Sequence, residues 1–357
     1  MQKSAEKVAR GLILISLIVG ILVSRQSVLG VYMPADEEQE PEESSIIETI
    51  TEPARAILEE RMKDVDGLIG IEDTSFDLIP PDAFEQENKR GLPPLTEENI
   101  EQLRDFEYLR TQFYMSDRNT RLLPSDIDAD DFMQADLTIN SQATGPQVLI
   151  FHTHSTEMFA DSDPNNPMDG VLGLGASLAQ ILEQQYGIKT LHDTTRFDIV
   201  DGRSHIMGAY ERMEPYIKQI LQENPSIEIV IDLHRDGLPE GAPPMVTYIN
   251  NQRTARIMFV NGLSRWYNRD GILEPVPWLP NPNLQQNLKF SFQLQMAANQ
   301  MYPGLARRVY LKAFRYSLHL LPRTTLIEVG AQNNTIQEAQ NALPPLASII
   351  AEVILPK

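Results

Sequence analysis

Leu149-Ile150-Phe151-His152-Thr153-His154-Ser155-Thr156-Glu157 reads as a buried strand that runs into a turn and presents His154 and Glu157 three positions apart. Zinc is typically held by imidazole nitrogens and carboxylate oxygens, and a catalytic site uses three protein ligands with a fourth position left to water. The third ligand has to come from another strand. Ile229-Val230-Ile231-Asp232-Leu233-His234 supplies one, an apolar run ending in histidine and followed by Arg235, Asp236 and the strand-breaking Gly237. A third run, Thr325-Leu326-Ile327-Glu328-Val329-Gly330, carries a carboxylate where burying a charge is unfavourable without a partner, which marks Glu328 for a functional role.

Working outward, short apolar runs alternate with helical periodicity from Gln147 onward, the pattern of an α/β domain with a largely parallel or mixed central sheet flanked by helices. Strands are predicted at Val148–Phe151, Ile188–Leu191, Ile227–Leu233 and Thr325–Gly330. Helices are predicted at Ala176–Tyr186, Gly208–Glu223, Asn283–Met301 and from Thr335. Val246–Ile249 and Arg256–Val260 flank the Asn250-Asn251 turn and suggest a hairpin or edge pair. Ligands of open α/β sheets bind beyond the carboxyl ends of the strands, where His154, His234 and Glu328 all fall.

Each candidate has a plainer reading beside the chemical one. His152 shares strand parity with His154 and fits a ligand or a buried structural imidazole; Glu157 fits a ligand or a helix-capping carboxylate. Asp232 fits a carboxylate that orients an imidazole from behind, with Asp236 as an alternative. Arg235 either clamps a substrate carboxylate or pairs with Asp232 or Asp236. His192, His205 and His319 read as structural or surface residues. Ser155 has no G-x-S-x-G setting, so a serine nucleophile is not expected.

Of the 357 residues none is cysteine, which removes disulfides and cysteine zinc sites. Lys3, Lys7 and Arg10 precede the 13-residue apolar stretch Gly11–Val23. Such a helix spans about 20 Å, short of the roughly 30 Å hydrocarbon core. That favours a signal-peptide core, while the missing small-x-small site and the apolar Val28–Met33 favour an uncleaved anchor over residues 1–33. Either way the positive flank places the remainder outside the cytoplasmic membrane, as a single-pass protein if the anchor is kept. Residues 34–137 hold 29 Asp and Glu against 9 Lys and Arg, enough to account for the net charge of −20; they read as an acidic, partly disordered stalk with a helical segment near 96–115, capped by Thr96. The expected catalytic domain, 138–357, is nearly neutral, with 20 acidic and 17 basic residues. No basic footprint exists for nucleic acid.

The chain resembles the stage II sporulation protein P family of membrane-anchored cell-wall hydrolases, related to zinc N-acetylmuramoyl-L-alanine amidases. Four motifs carry the likeness: Leu149–Glu157, His192-Asp193 with Asp198, Ile231–Asp236, and Leu326–Gly330 with Asn334-Thr335. The resemblance implies zinc on His154, Glu157 and His234, with Glu328 as catalytic acid and base. It implies peptidoglycan as substrate, cleavage between N-acetylmuramic acid and L-alanine, an added endopeptidase activity, and membership of a cell-wall hydrolase complex. A metallocarboxypeptidase and a non-catalytic wall-binding scaffold are the rival classes.

Overall fold

The computed structural model describes residues 96–356. The expected anchor over 1–33 and the acidic stalk as far as residue 95 lie outside the described residues. Among the described residues no helix is long and apolar enough to cross a membrane.

Helices α1 (Glu97–Gln102) and α2 (Phe106–Phe113) lead into β1 (Tyr114–Ser116), and α3 (Ala129–Gln134) precedes β2 (Val148–Phe151). Next come α4 (Val171–Tyr186), β3 (Thr190–His192), the small pair β4 (Ile199–Val200) and β5 (Arg203–Ser204), α5 (Ala209–Glu223) and β6 (Ile229–Asp236). A hairpin of β7 (Val246–Ile249) and β8 (Gln252–Ala255) is followed by β9 (Ile257–Gly262) and a second hairpin, β10 (Arg265–Tyr267) and β11 (Leu273–Pro275). The chain closes with α6 (Leu284–Met301), β12 (Val309–Lys312), β13 (Thr324–Ala331) and α7 (Ile336–Ile354).

Seven strands form one sheet in the order β1-β12-β9-β13-β6-β2-β3, with every neighbouring pair parallel except β13 and β9. This is a mixed α/β architecture with a mostly parallel central sheet flanked by helices. Strand alternation sorts its side chains. Val148 and Ile150 of β2, with Ile229, Ile231 and Leu233 of β6, belong to a core shared with α4, α6 and α7. Leu149, Phe151 and Val230 face the other way, onto Ala209, Met213 and Ile217 of α5. Both faces are therefore covered, as parallel strands require.

Two expectations are corrected. The Asn250-Asn251 turn does join a hairpin, but β7 pairs with β8, while the apolar Ile257–Gly262 run sits mid-sheet, antiparallel to β13. The proposed stalk boundary at 137/138 also falls inside the packed body. Leu103, Leu109, Phe113, Leu122, Phe132 and Leu137 are buried, and β1 forms the sheet edge beside β12. The helix expected through Leu109 is two helices, because the chain breaks after Gln102 and Asp105 caps the second by accepting from Tyr108 N at 2.7 Å. Phe292 of α6 stacks on Phe113 (ring centroids 5.4 Å) and meets Phe132 edge-on (5.7 Å). Phe113→Ala is accordingly expected to destabilise the full chain by about 3–5 kcal/mol, the range for truncating a buried phenylalanine. In a solvated stalk the same change would stay within roughly 0.5 kcal/mol, so denaturant unfolding separates the two.

Candidate metal centre

The site lies on the α5 side of the sheet at the carboxyl ends of β2, β6 and β13. Val230, Asp232 and His234 share one strand parity, which carries His234 to the face that Val230 packs on α5. Glu328 is the register partner of His234 on the adjacent strand. Directly after it β13 slips by one residue relative to β6, and Gly330 takes φ +68°, a left-handed conformation suited to glycine.

His154, Glu157 and His234 bring one donor atom each within 4.8 Å of one another, and all three are buried. His154 Nδ1 is 3.8 Å from Glu157 Oε1, and His234 Nδ1 is 3.3 Å from Glu157 Oε2. Asp232 lies behind His234, its Oδ1 2.7 Å from Nε2, while Thr153 donates to the same carboxylate from its backbone N (2.9 Å) and its hydroxyl (2.7 Å). That pair fixes the imidazole so that Nδ1 faces Glu157. Burial works against a charged His234, but the carboxylates of Asp232 and Glu157 outweigh it and hold the imidazolium well above its usual range. The backbone N of Arg235 donates to Glu157 Oε2 at 2.9 Å. Its guanidinium is tied to main-chain carbonyls, through Nε to Met158 O (3.1 Å) and through Nη1 to Asp236 O (3.3 Å), so it pairs with neither aspartate. Asp236 is salt-bridged to the buried Arg307.

Glu328 is buried and its Oε2 has no hydrogen-bond partner. Burial, with the charges of Asp236 and Glu157, pushes this carboxyl well above the usual carboxylate range. A buried Glu157 Oε1 likewise lacks a hydrogen bond. The orphaned Glu157 oxygen, beside the imidazoles of His154 and His234, completes a donor set that a divalent cation satisfies, and the cation's charge would draw the Glu328 carboxyl back toward ionisation. The residues fit zinc.

The family described as Stage II sporulation protein P (SpoIIP) matches residues 75–351. The chain belongs to this family. A curated relative, Stage II sporulation protein P of Bacillus subtilis (strain 168), is 25% identical over 228 residues, which is 59% of this chain and 52% of that one. The chain thus matches about half the length of that relative. Among solved structures, an N-acetylmuramoyl-L-alanine amidase from Clostridium difficile 630 aligns at 12% identity and a TM-score of 0.34, over 59% of this chain and 95% of that one. The amidase AmiC2 of Nostoc punctiforme gives 13% and 0.34, over 59% and 97%. A TM-score of 0.34 is too low to establish a common fold.

Within this member of the stage II sporulation protein P family, His152 stands apart from the donor cluster. Its Nδ1 lies 2.7 Å from Leu233 O and donates to it, which leaves Nε2 to accept from His192 Nε2 at 2.9 Å. Burial and the neighbouring His192 hold His152 down to about 3, so it stays neutral. The pair occupies the α4 side of the sheet against Gly175, where an added Cβ would meet His152 Nε2 at 2.5 Å and His192 Nε2 at 2.6 Å. Gly175→Ala should cost about 1–3 kcal/mol as overpacking, seen as a lowered melting temperature of the full chain. Asp198 belongs to one of the four motifs, but its role does not show in the sequence. It is fully buried and ties down the turn between the ligand candidates, accepting from the Ser155 hydroxyl and from Thr156 N (2.8 Å) and Oγ1 (2.6 Å). Those bonds outweigh burial and hold its carboxyl below the usual range.

Proposed function

We propose that this protein is a zinc-dependent peptidoglycan hydrolase acting in sporulation, which cleaves the amide between N-acetylmuramic acid and L-alanine. The observation that carries this reading is the convergence of His154, Glu157 and His234 within 4.8 Å, beside a buried Glu328 with an unsatisfied oxygen. Family membership supports the sporulation setting. Zinc bound by these three residues supplies Lewis acidity, lowering the pKa of a bound water to roughly 7 and polarising an amide carbonyl.

The remaining work falls to the chain itself. Asp232 holds the Nε2 proton of His234 and keeps Nδ1 aimed at the cluster. The Arg235 amide orients Glu157. Glu328, whose carboxyl a bound divalent cation would draw back to the ionised form, would take a proton at Oε2 from the attacking water and return it to the departing amine, so no covalent intermediate is needed. A metallocarboxypeptidase would instead need a guanidinium for the terminal carboxylate; dependence of hydrolysis on a free peptide C-terminus would replace our reading with that one. Digestion of purified peptidoglycan by the full chain, with mass identification of the fragments, tests the proposal. Lactyl-free stem peptides starting at L-alanine are expected, and fragments cut only within the peptide would overturn it.

We propose further that the hydrolase works outside the cytoplasmic membrane, held by residues 1–33, because Lys3, Lys7 and Arg10 precede the apolar stretch. Protease added to intact protoplasts should then remove the described domain. Its survival under that treatment would exclude the orientation.

A further inference from the structure

Tyr210 stands in the first turn of α5, and its ring meets the imidazole of His154 edge-on, with centroids 5.5 Å apart and planes at 79°. Tyr316 meets Tyr210 in turn, at 5.4 Å and 69°. These two rings also line a cavity of about 50 Å³, together with Glu214, Leu279, Arg315 and His319. The cavity therefore shares a wall with the metal centre. Tyr316 holds φ +50°, an uncommon conformation for a bulky residue and one that persists only where the surroundings impose it.

The lining selects by size and by charge. At roughly 10–15 Å³ for each water-sized group, the space takes a fragment of about four heavy atoms. Tyrosine faces and Leu279 make it apolar on several sides. Arg315 is fixed by two acceptors, Pro280 O for Nη1 (3.2 Å) and Glu214 Oε2 for Nη2 (2.8 Å), and its guanidinium still has N–H groups to give. Glu211 also borders the space, and the Glu214 carboxylate is shared by Arg315, His319 and Lys218, so the lining offers no surplus positive charge. His319 adds little positive charge, because burial and the nearby Arg315 hold it below its usual range. A carboxylate would enter with no unpaired cation to receive it. A neutral planar amide with a methyl tip needs no counter-charge, and Arg315 borders the space with N–H groups beyond its two bonds.

We propose that this cavity is a recognition pocket for the acetamido group of an N-acetylated sugar beside the scissile bond, which sets the register of the glycan on the metal centre. The inference rests on the hydrolase reading above and deepens it, since a glycan held here lies one aromatic ring away from His154.

The test titrates the full chain with two neutral-ring methyl glycosides, that of N-acetylmuramic acid and that of its 2-hydroxy analogue, which lacks the acyl group but keeps the lactyl carboxylate. Calorimetry should show the N-acetyl sugar binding at least ten times tighter. Leu279→Trp, which fills the cavity from a half-exposed position, should erase that preference while leaving melting temperature and zinc content unchanged, and Tyr316→Ala should weaken it as a second, cavity-opening variant. Equal affinity for the two sugars, no binding of either, or an undiminished preference in Leu279→Trp would overturn the pocket. Peptide release from peptidoglycan is read in parallel: discrimination between the sugars without release would sink the hydrolase reading and leave the pocket standing.

Discussion

Glu328→Gln is expected to lower release of stem peptides from peptidoglycan by at least the roughly 10² to 10⁴-fold assigned to general acid-base catalysis, with fold and bound zinc retained. The side chain ends up buried beside His234 with Oε2 unengaged, and it is outside the three-donor cluster. Glutamine keeps the shape and cannot accept the water's proton. Zinc content, melting temperature and peptide release measured on one preparation distinguish the outcomes. Near-normal release would remove Glu328 from the chemistry, and loss of zinc together with activity would recast it as a ligand.

That a carboxylate at residue 328 could be singled out from sequence rests on its setting. Thr324–Ala331 is buried at every position, so a charge there had to be satisfied by something beyond local structure. The same logic made β2 and β6 legible, since β2 is apolar throughout and β6 opens on the apolar Ile229–Ile231 before its polar residues begin. The position of Ile257–Gly262 was not legible. Strand order is a nonlocal property, and an apolar run following a turn signal looks like a hairpin arm whether it lies at an edge or in the middle of a sheet. Charge misled in the segment before residue 138. Among its described acidic residues, Glu97, Glu98, Glu101, Glu107 and Asp131 are exposed on α1, α2 and α3, while Leu103, Leu109, Phe113 and Phe132 between them enter the core at wider spacing than a charge count reveals.

The histidine pair shows a finer limit. His152 and His154 share parity only while the strand continues, and β2 ends at Phe151. Past that point the chain turns, anchored by Thr153 on Asp232 and by Ser155 and Thr156 on Asp198, so the two imidazoles leave on different sides of the sheet. Asp232 and Asp198 are 79 and 42 or 43 residues from the groups they hold, distances over which a sequence pattern says nothing about contact.

This divergence makes the metal result sharp. The purified chain is expected to carry about one zinc, and His154→Ala or His234→Ala should each abolish it, because two remaining donors leave a three-ligand site incomplete. His152→Ala should keep its zinc: its Nδ1 is committed to Leu233 O and its Nε2 to His192, on the α4 side of the sheet. Asp232→Ala should lie between these, weakening zinc binding or activity by about 10- to 100-fold, because it frees the His234 ring to rotate without removing a donor. Metal analysis after exhaustive dialysis ranks the four variants directly. Zinc lost from His152→Ala but kept by His154→Ala would move the first ligand two residues back, and with it the claim that the turn after β2, rather than the strand itself, presents the metal ligand.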